Sequence, residues 1–167
     1  QKVQPLKVIA SGLKSEEAVV MDMENGHFES LEELGECMHA SCLLPGLAGP
    51  VMNMKVQNRG SDKPKFVLRN NLNDPDYEPM GDALIYGPMA YDVAHKEGAT
   101  HIIAIRSRPD GTDVTGKGGV FERLVFRRFF MRKNKLPGVF KRMSQHLHKK
   151  LYAKNVIELN EAAHSDR

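Results

Sequence analysis

Cysteine is scarce in this chain: Cys37 and Cys42 are the only two in 167 residues. That is too few for a disulfide framework, and their spacing fits neither a zinc pair nor a redox motif. The reading they support is buried structural thiols in a reducing compartment. Long apolar runs are missing too. No stretch reaches the roughly 18 consecutive apolar residues of a membrane-spanning helix. The opening QKVQPLKVIAS has none of the charged, apolar and small-residue sections of an export signal. The expected location is therefore intracellular, in the cytoplasm or at a membrane surface. With no initiator Met and a strand pattern at the outset, the chain reads as a piece of a longer polypeptide.

Signatures of catalysis are equally sparse. No G-x-S-x-G elbow occurs, and no glycine-rich loop opens the chain ahead of a helix. GTDVTGKGGV (111–120) resembles a phosphate loop, but Gly118 follows Lys117 where the motif needs Ser or Thr, so it reads as a solvated turn. His27, His39, His95, His101, His146, His148 and His164 show no metal-ligand spacing with one another or with carboxylates. No cofactor or metal is expected. One further absence is local. From Arg123 to Lys154 there are eleven Lys or Arg and no Asp or Glu, leaving thirteen basic against twenty-one acidic residues elsewhere.

What is present is an ordinary globular composition, 41% hydrophobic and 27% charged, which argues against disorder. LKVIAS (6–11) and AVVMDM (18–23) read as two strands joined by a hairpin connection. Ser30 and Glu33 form an S-x-x-E capping box, and Leu31, Leu34, Met38 and Cys42 recur at helical spacing, predicting a helix over 31–42. LLPGLAGP then forces a tight apolar loop. VMNMKV and KFVLRN flank QNRGSDKP as a second hairpin, and NNLNDPDYEP is rich in turn formers, predicting an exposed loop.

In MGDALIYGPMAYDVAHKEGATHIIAIRS (80–107), Pro88 suits a first helical turn, Met89, Val93 and Ala94 line one face, and Gly98 sits at a left-handed C-cap. HIIAIRS reads as an interior strand covered on both faces, which implies a sheet with helices on both sides. From Val120 a helix carries Phe121, Leu124, Val125, Phe129 and Phe130 together with Arg123, Arg127, Arg128 and Arg132. LPG breaks it at 136–138. A second basic helix over 139–153, with Phe140, Met143, Leu147 and Leu151 on one face, precedes a short strand NVIELN. Two readings of this basic segment stand: ordinary helices packed on their own domain, or a peripheral membrane contact through Arg123, Arg127, Arg128 and Arg132. Nucleic acid is not an expected partner, because charge without a recognition motif supports only nonspecific attraction.

Asp82 is the one isolated carboxylate at the mouth of this αβ unit. From spacing alone it is a turn or cap residue as readily as a catalytic group.

The order of blocks adds to this. LKVIASGL, then ASCLLPGLAGPV (40–51), then Asp82 within DALIYGPMAYDVAHKEGATHIIAIRSRP resembles the later part of the patatin-like phospholipases. The family is similar in its L-K-V-x-A strand, its P-G block, its D-G-[GA] motif and its A-x-x-x-G-A helix-to-strand unit. Here the third motif reads D-A-L. The resemblance covers residues 5 to about 108. It implies an α/β fold, a three-layer sheet with helices on both faces, here as a partial domain lacking the nucleophile-bearing N-terminal part. Residues 1–118 would be the C-terminal part of the hydrolase domain, and 119–167 a basic helical extension with a short terminal strand, packed on the same domain. Asp82 would be the catalytic base of a Ser-Asp dyad that cleaves fatty-acyl esters of lipids, with the serine upstream. The alternative is a degenerate, non-catalytic member acting as a membrane-surface or lipid-binding module through its basic helices.

Overall fold

The computed structural model describes residues 5–55, 66–67, 77–109, 111–116 and 119–165. The fold is mixed α/β. Five strands, β1 (Lys7–Gly12), β2 (Glu17–Asp22), β3 (Met52–Lys55), β4 (Phe66–Val67) and β5 (Tyr77–Gly81), form one sheet in the order β2-β1-β5-β3-β4. All pairings between these strands are antiparallel. Both predicted hairpins are present, β1 with β2 and β3 with β4. The linker at 57–64 and residues 70–76 of the turn-rich stretch lie outside the described residues; Tyr77, Glu78 and Pro79, expected to end an exposed loop, instead open β5, with Pro79 buried.

The pleat sends alternate residues to opposite faces. Ala10 opposite Val19, and Val8 opposite Met21, face α1 (Leu31–Cys42). Met52, Met54 and Met80 complete that face, with Phe28, Cys37, Ala40 and Leu43 packed on them. Helix α1 starts where the capping box places it. The Ser30 hydroxyl accepts the Glu33 N–H at 3.2 Å, and the Glu33 carboxylate accepts the Ser30 N–H at 3.2 Å. Ser30→Ala is expected to cost about 1 kcal/mol, read as a shift in the urea midpoint at unchanged slope. Burial, reinforced by the charges of Glu33 and Glu36, pushes the Cys37 thiol up to about 11, which makes it inert. Cys42 corrects the expectation of two buried thiols: it is exposed at the last turn of α1.

Asp22, at the end of β2, is only 2% exposed. Burial alone drives its carboxyl upward, but the Asn25 N–H at 2.7 Å and the Lys7 ammonium at 3.1 Å outweigh it and hold the carboxyl below its usual value. A depressed folded value contributes stability above the unfolded value, and that contribution is lost as pH falls through the folded one. Asp22→Asn is therefore expected to lower the thermal midpoint at neutral pH and to flatten its decline below about pH 4, measured by scanning calorimetry across pH.

The helical part follows at Val120. Helix α3 (Val120–Phe126) runs into a π-helix (Arg127–Lys133), then come α4 (Pro137–Ser144) and α5 (Leu147–Ser165). Phe126, Phe130, Leu136, Val139 and Met143 form a second core with Ile85 and with Leu13 and Val51, which flank β1 and β3, so this segment packs against the ends of those strands and the 3-10 turn at Ala83–Ile85. The wide π-turn directs two successive aromatic residues inward. Phe130 is fully buried, and Phe129 meets it edge-on at 5.1 Å.

Three local expectations are overturned. HIIAIRS forms no strand: residues 102–105 join no ladder of the described sheet, and Ile103 and Ile105 are 92% and 95% exposed. A strand needs a neighbour to hydrogen-bond, and this segment joins neither edge of the described sheet, β2 or β4. NVIELN is not the terminal strand but the middle of α5. No Gly or Pro interrupts the run from Leu147, and Lys154 and Glu158 pair at 3.3 Å one helical turn apart. The single basic helix over 139–153 is two, broken at Gln145 and His146, where His146 takes a φ of 55°. Helix α2 (Tyr91–Lys96) starts later than read, leaving Pro88 and Met89 ahead of it, but ends as read, with Gly98 at φ 87°.

Candidate active site

Asp82 lies one residue past the end of β5, where three of the four quoted sequence blocks meet. Gly81 admits the approach, since a Cβ there would stand 2.8 Å from Pro45 Cγ of the P-G loop. The Asp82 N–H donates to the Leu43 carbonyl at 2.7 Å, which ties the turn to the residue following α1. Its Oδ1 accepts the Leu84 N–H at 2.8 Å and its carbonyl accepts the Ile85 N–H at 3.1 Å, so the side chain caps the short 3-10 turn Ala83–Ile85.

The strand block supplies the other wall. Ser11 on β1 is fully buried, and its hydroxyl accepts the Tyr86 N–H at 3.0 Å and donates to the Ala83 carbonyl at 3.4 Å. Both of its roles are spent on the turn backbone, so Ser11 is a brace and not a nucleophile. From α4, the Arg142 guanidinium donates to the Ile85 carbonyl and stacks 4.5 Å over the Tyr86 ring. Burial, aided by the charge of Glu16 and opposed by Arg142, pushes the Tyr86 hydroxyl up to about 12, which keeps it protonated.

The turn is thus held from β1, from the P-G loop and from α4, while Asp82 itself is half-buried. Among the described residues nothing bonds to its Oδ2 and no cation pairs with it. A carboxylate fixed by one oxygen and open at the other is suited to accept a proton from an incoming hydroxyl. No group of His, Cys, Asp and Glu among the described residues has the arrangement to hold a metal.

Beside the turn, Leu84 borders a cleft of about 360 Å³ with Arg108, Asp113, His148, Lys149 and Tyr152. The glycine-rich stretch there is a turn. Asp113 accepts the Thr115 hydroxyl at 2.6 Å and its N–H at 2.8 Å, bonds that hold its carboxyl below the usual range. Lys117 and Gly118 of the partial phosphate motif lie outside the described residues.

Arg123, Arg127, Arg128 and Arg132 are all exposed, on α3 and the π-helix, and the inward side of the same helix packs on Ile85 of the Asp82 turn. Sequence reasoning missed Ser11 and Arg142. Their partners lie 75 and 57 residues away, and no local pattern announces such bonds. No helix among the described residues is long and apolar enough to cross a membrane. Compared with family models, curated proteins and solved structures, the chain matches none of them.

Proposed function

We propose that this chain is part of a lipid acyl hydrolase that cleaves fatty-acyl esters through a Ser-Asp dyad, with Asp82 as the base and the nucleophilic serine outside this sequence. The observation that carries the reading is the convergence at Asp82: the strand block and the P-G block, far apart in sequence, both grip the turn that presents this carboxylate. A surface cap has no need of such bracing, whereas a general base must be held within hydrogen-bond reach of its partner.

In this reading the serine hydroxyl attacks the ester carbonyl while Asp82 Oδ2 takes its proton. The Oγ–C bond forms, the ester C–O bond breaks, and the proton passes to the departing alkoxide. Water then attacks the acyl-enzyme by the same base catalysis and frees the fatty acid. The uncovered segment Ile102–Ile105 is where the sheet would continue toward a three-layer, patatin-like arrangement. The D-A-L sequence alters the turn after the Asp, and the Asp82 side chain caps that turn itself.

Fluorophosphonate labelling of the native full-length protein, followed by peptide mapping, tests the reading. The expected result is one modified serine N-terminal to Gln1. Absence of labelling in folded, intact protein would overturn it.

A further inference from the structure

The outward side of α3 and the π-helix has a composition that folding does not require. The inward side is already supplied by Phe126 and Phe130, 2% and 0% exposed. Opposite them, Val120, Leu124 and Met131 stand 79%, 59% and 41% exposed. An apolar ridge of this kind on a helix that has already buried its other face marks a contact surface.

Apart from Glu122, the charged residues of α3 and the π-helix are all basic. Arg123, Arg127, Arg128 and Arg132 are exposed, and among the described residues none of them forms an ion pair. Nor is there any acidic residue from Arg123 through Lys154 to neutralise them. Next to the ridge, Arg128, Arg132 and Lys133 surround a cleft of about 620 Å³ floored by Phe129 and closed by Gly46. Gly46 has no room for a side chain, since a Cβ there would lie 2.6 Å from the Phe129 ring. The following residue, Leu47, is 53% exposed at the tip of the P-G loop.

We infer that this face docks on an anionic membrane surface, with the arginines on lipid phosphates and Leu124, Met131 and Leu47 entering the headgroup boundary. Charge complementarity selects an anionic partner, and the exposed aliphatic side chains select a bilayer over a nucleic acid. Aliphatic groups gain by leaving water for the acyl boundary, whereas a phosphate backbone offers them nothing. Phe130, an obvious choice from sequence for the inserting residue, is instead core and takes no part in the contact. The inference does not depend on ester hydrolysis.

The test is co-sedimentation of the full-length protein with phosphatidylcholine vesicles, with and without phosphatidylserine. Binding is expected only with phosphatidylserine. It should weaken about fivefold for each arginine neutralised near the surface, hence about 25-fold for Arg128→Gln with Arg132→Gln, and persist when both are Lys. Leu124→Asn should weaken it about tenfold more, and part of the wild-type binding should survive high salt, which screens the charges but not the apolar contact. All three positions are exposed, so unchanged thermal midpoints are expected and certify folding. Equal partition of wild type and the double Gln variant overturns the inference. So does failure to bind at low salt, or binding of duplex DNA in preference to the vesicles. Vesicle binding is read without turnover, so its failure is distinguishable from failure of the hydrolase reading.

Discussion

Asp82→Asn in the intact protein is expected to reduce ester hydrolysis on the order of 10³-fold while leaving the fold in place. The amide keeps an Oδ1 that can accept the Leu84 N–H, and Asn caps helical turns about as well as Asp. What it loses is the basicity needed to take a proton from serine. Asp82→Ala removes both the base and the cap, so it should show the same loss of rate with an added destabilisation of about 1 kcal/mol. The pair of variants separates chemistry from structure. Rates on a fluorogenic acyl ester and thermal midpoints, measured together, decide it. An Asn variant as active as wild type would show that Asp82 is a cap and nothing more, and the dyad assignment would fall.

Phe130→Ala is expected to cost about 3–5 kcal/mol and to lower the stability of the sheet and the helical segment together. Phe130 is fully buried, meets the Phe126 ring at a tilt with centroids 5.8 Å apart and the Phe129 ring edge-on at 5.1 Å, and belongs to the cluster that includes Leu13, Val51 and Ile85. Removing the ring leaves a cavity between the helices and the Asp82 turn that surrounding residues fill only in part. Denaturation followed by circular dichroism should show one transition at a lower midpoint. Two separated transitions would mean that residues 119–167 fold as a unit of their own and that the shared core contributes little.

Where the sequence was legible, the deciding interactions were short in range. The capping box spans Ser30 to Glu33, the β1–β2 hairpin is closed by its own connection, and Gly98 takes the left-handed conformation that its place after α2 demands. Each of these is determined by residues within a turn or two of chain, so the local pattern is enough. HIIAIRS shows the limit of that kind of reading. Its aliphatic run is strand-like, but a strand exists only in a ladder, and in the order β2-β1-β5-β3-β4 this segment pairs with neither edge strand. NVIELN shows the reverse case: its β-branched pair favours strand, yet the uninterrupted chain from Leu147 and the bond from buried Asn155 to Tyr91 hold it in α5.

By itself the sequence determined which segments form hairpins and capped helices, that one stretch of the chain carries only positive charge, and that Asp82 stands alone at a turn. Only the tertiary structure decided what surrounds that carboxylate and which side of the basic helix meets water. Ser11, Leu43 and Arg142 reach the turn from elements far apart in the chain, and Phe126 and Phe130 are buried while Leu124 is not because α4, the Asp82 turn, Leu13 and Val51 cover one side of their helix. Periodicity can say that a helix has two faces. Which one is covered depends on the elements that pack against it, and those are brought together only by folding.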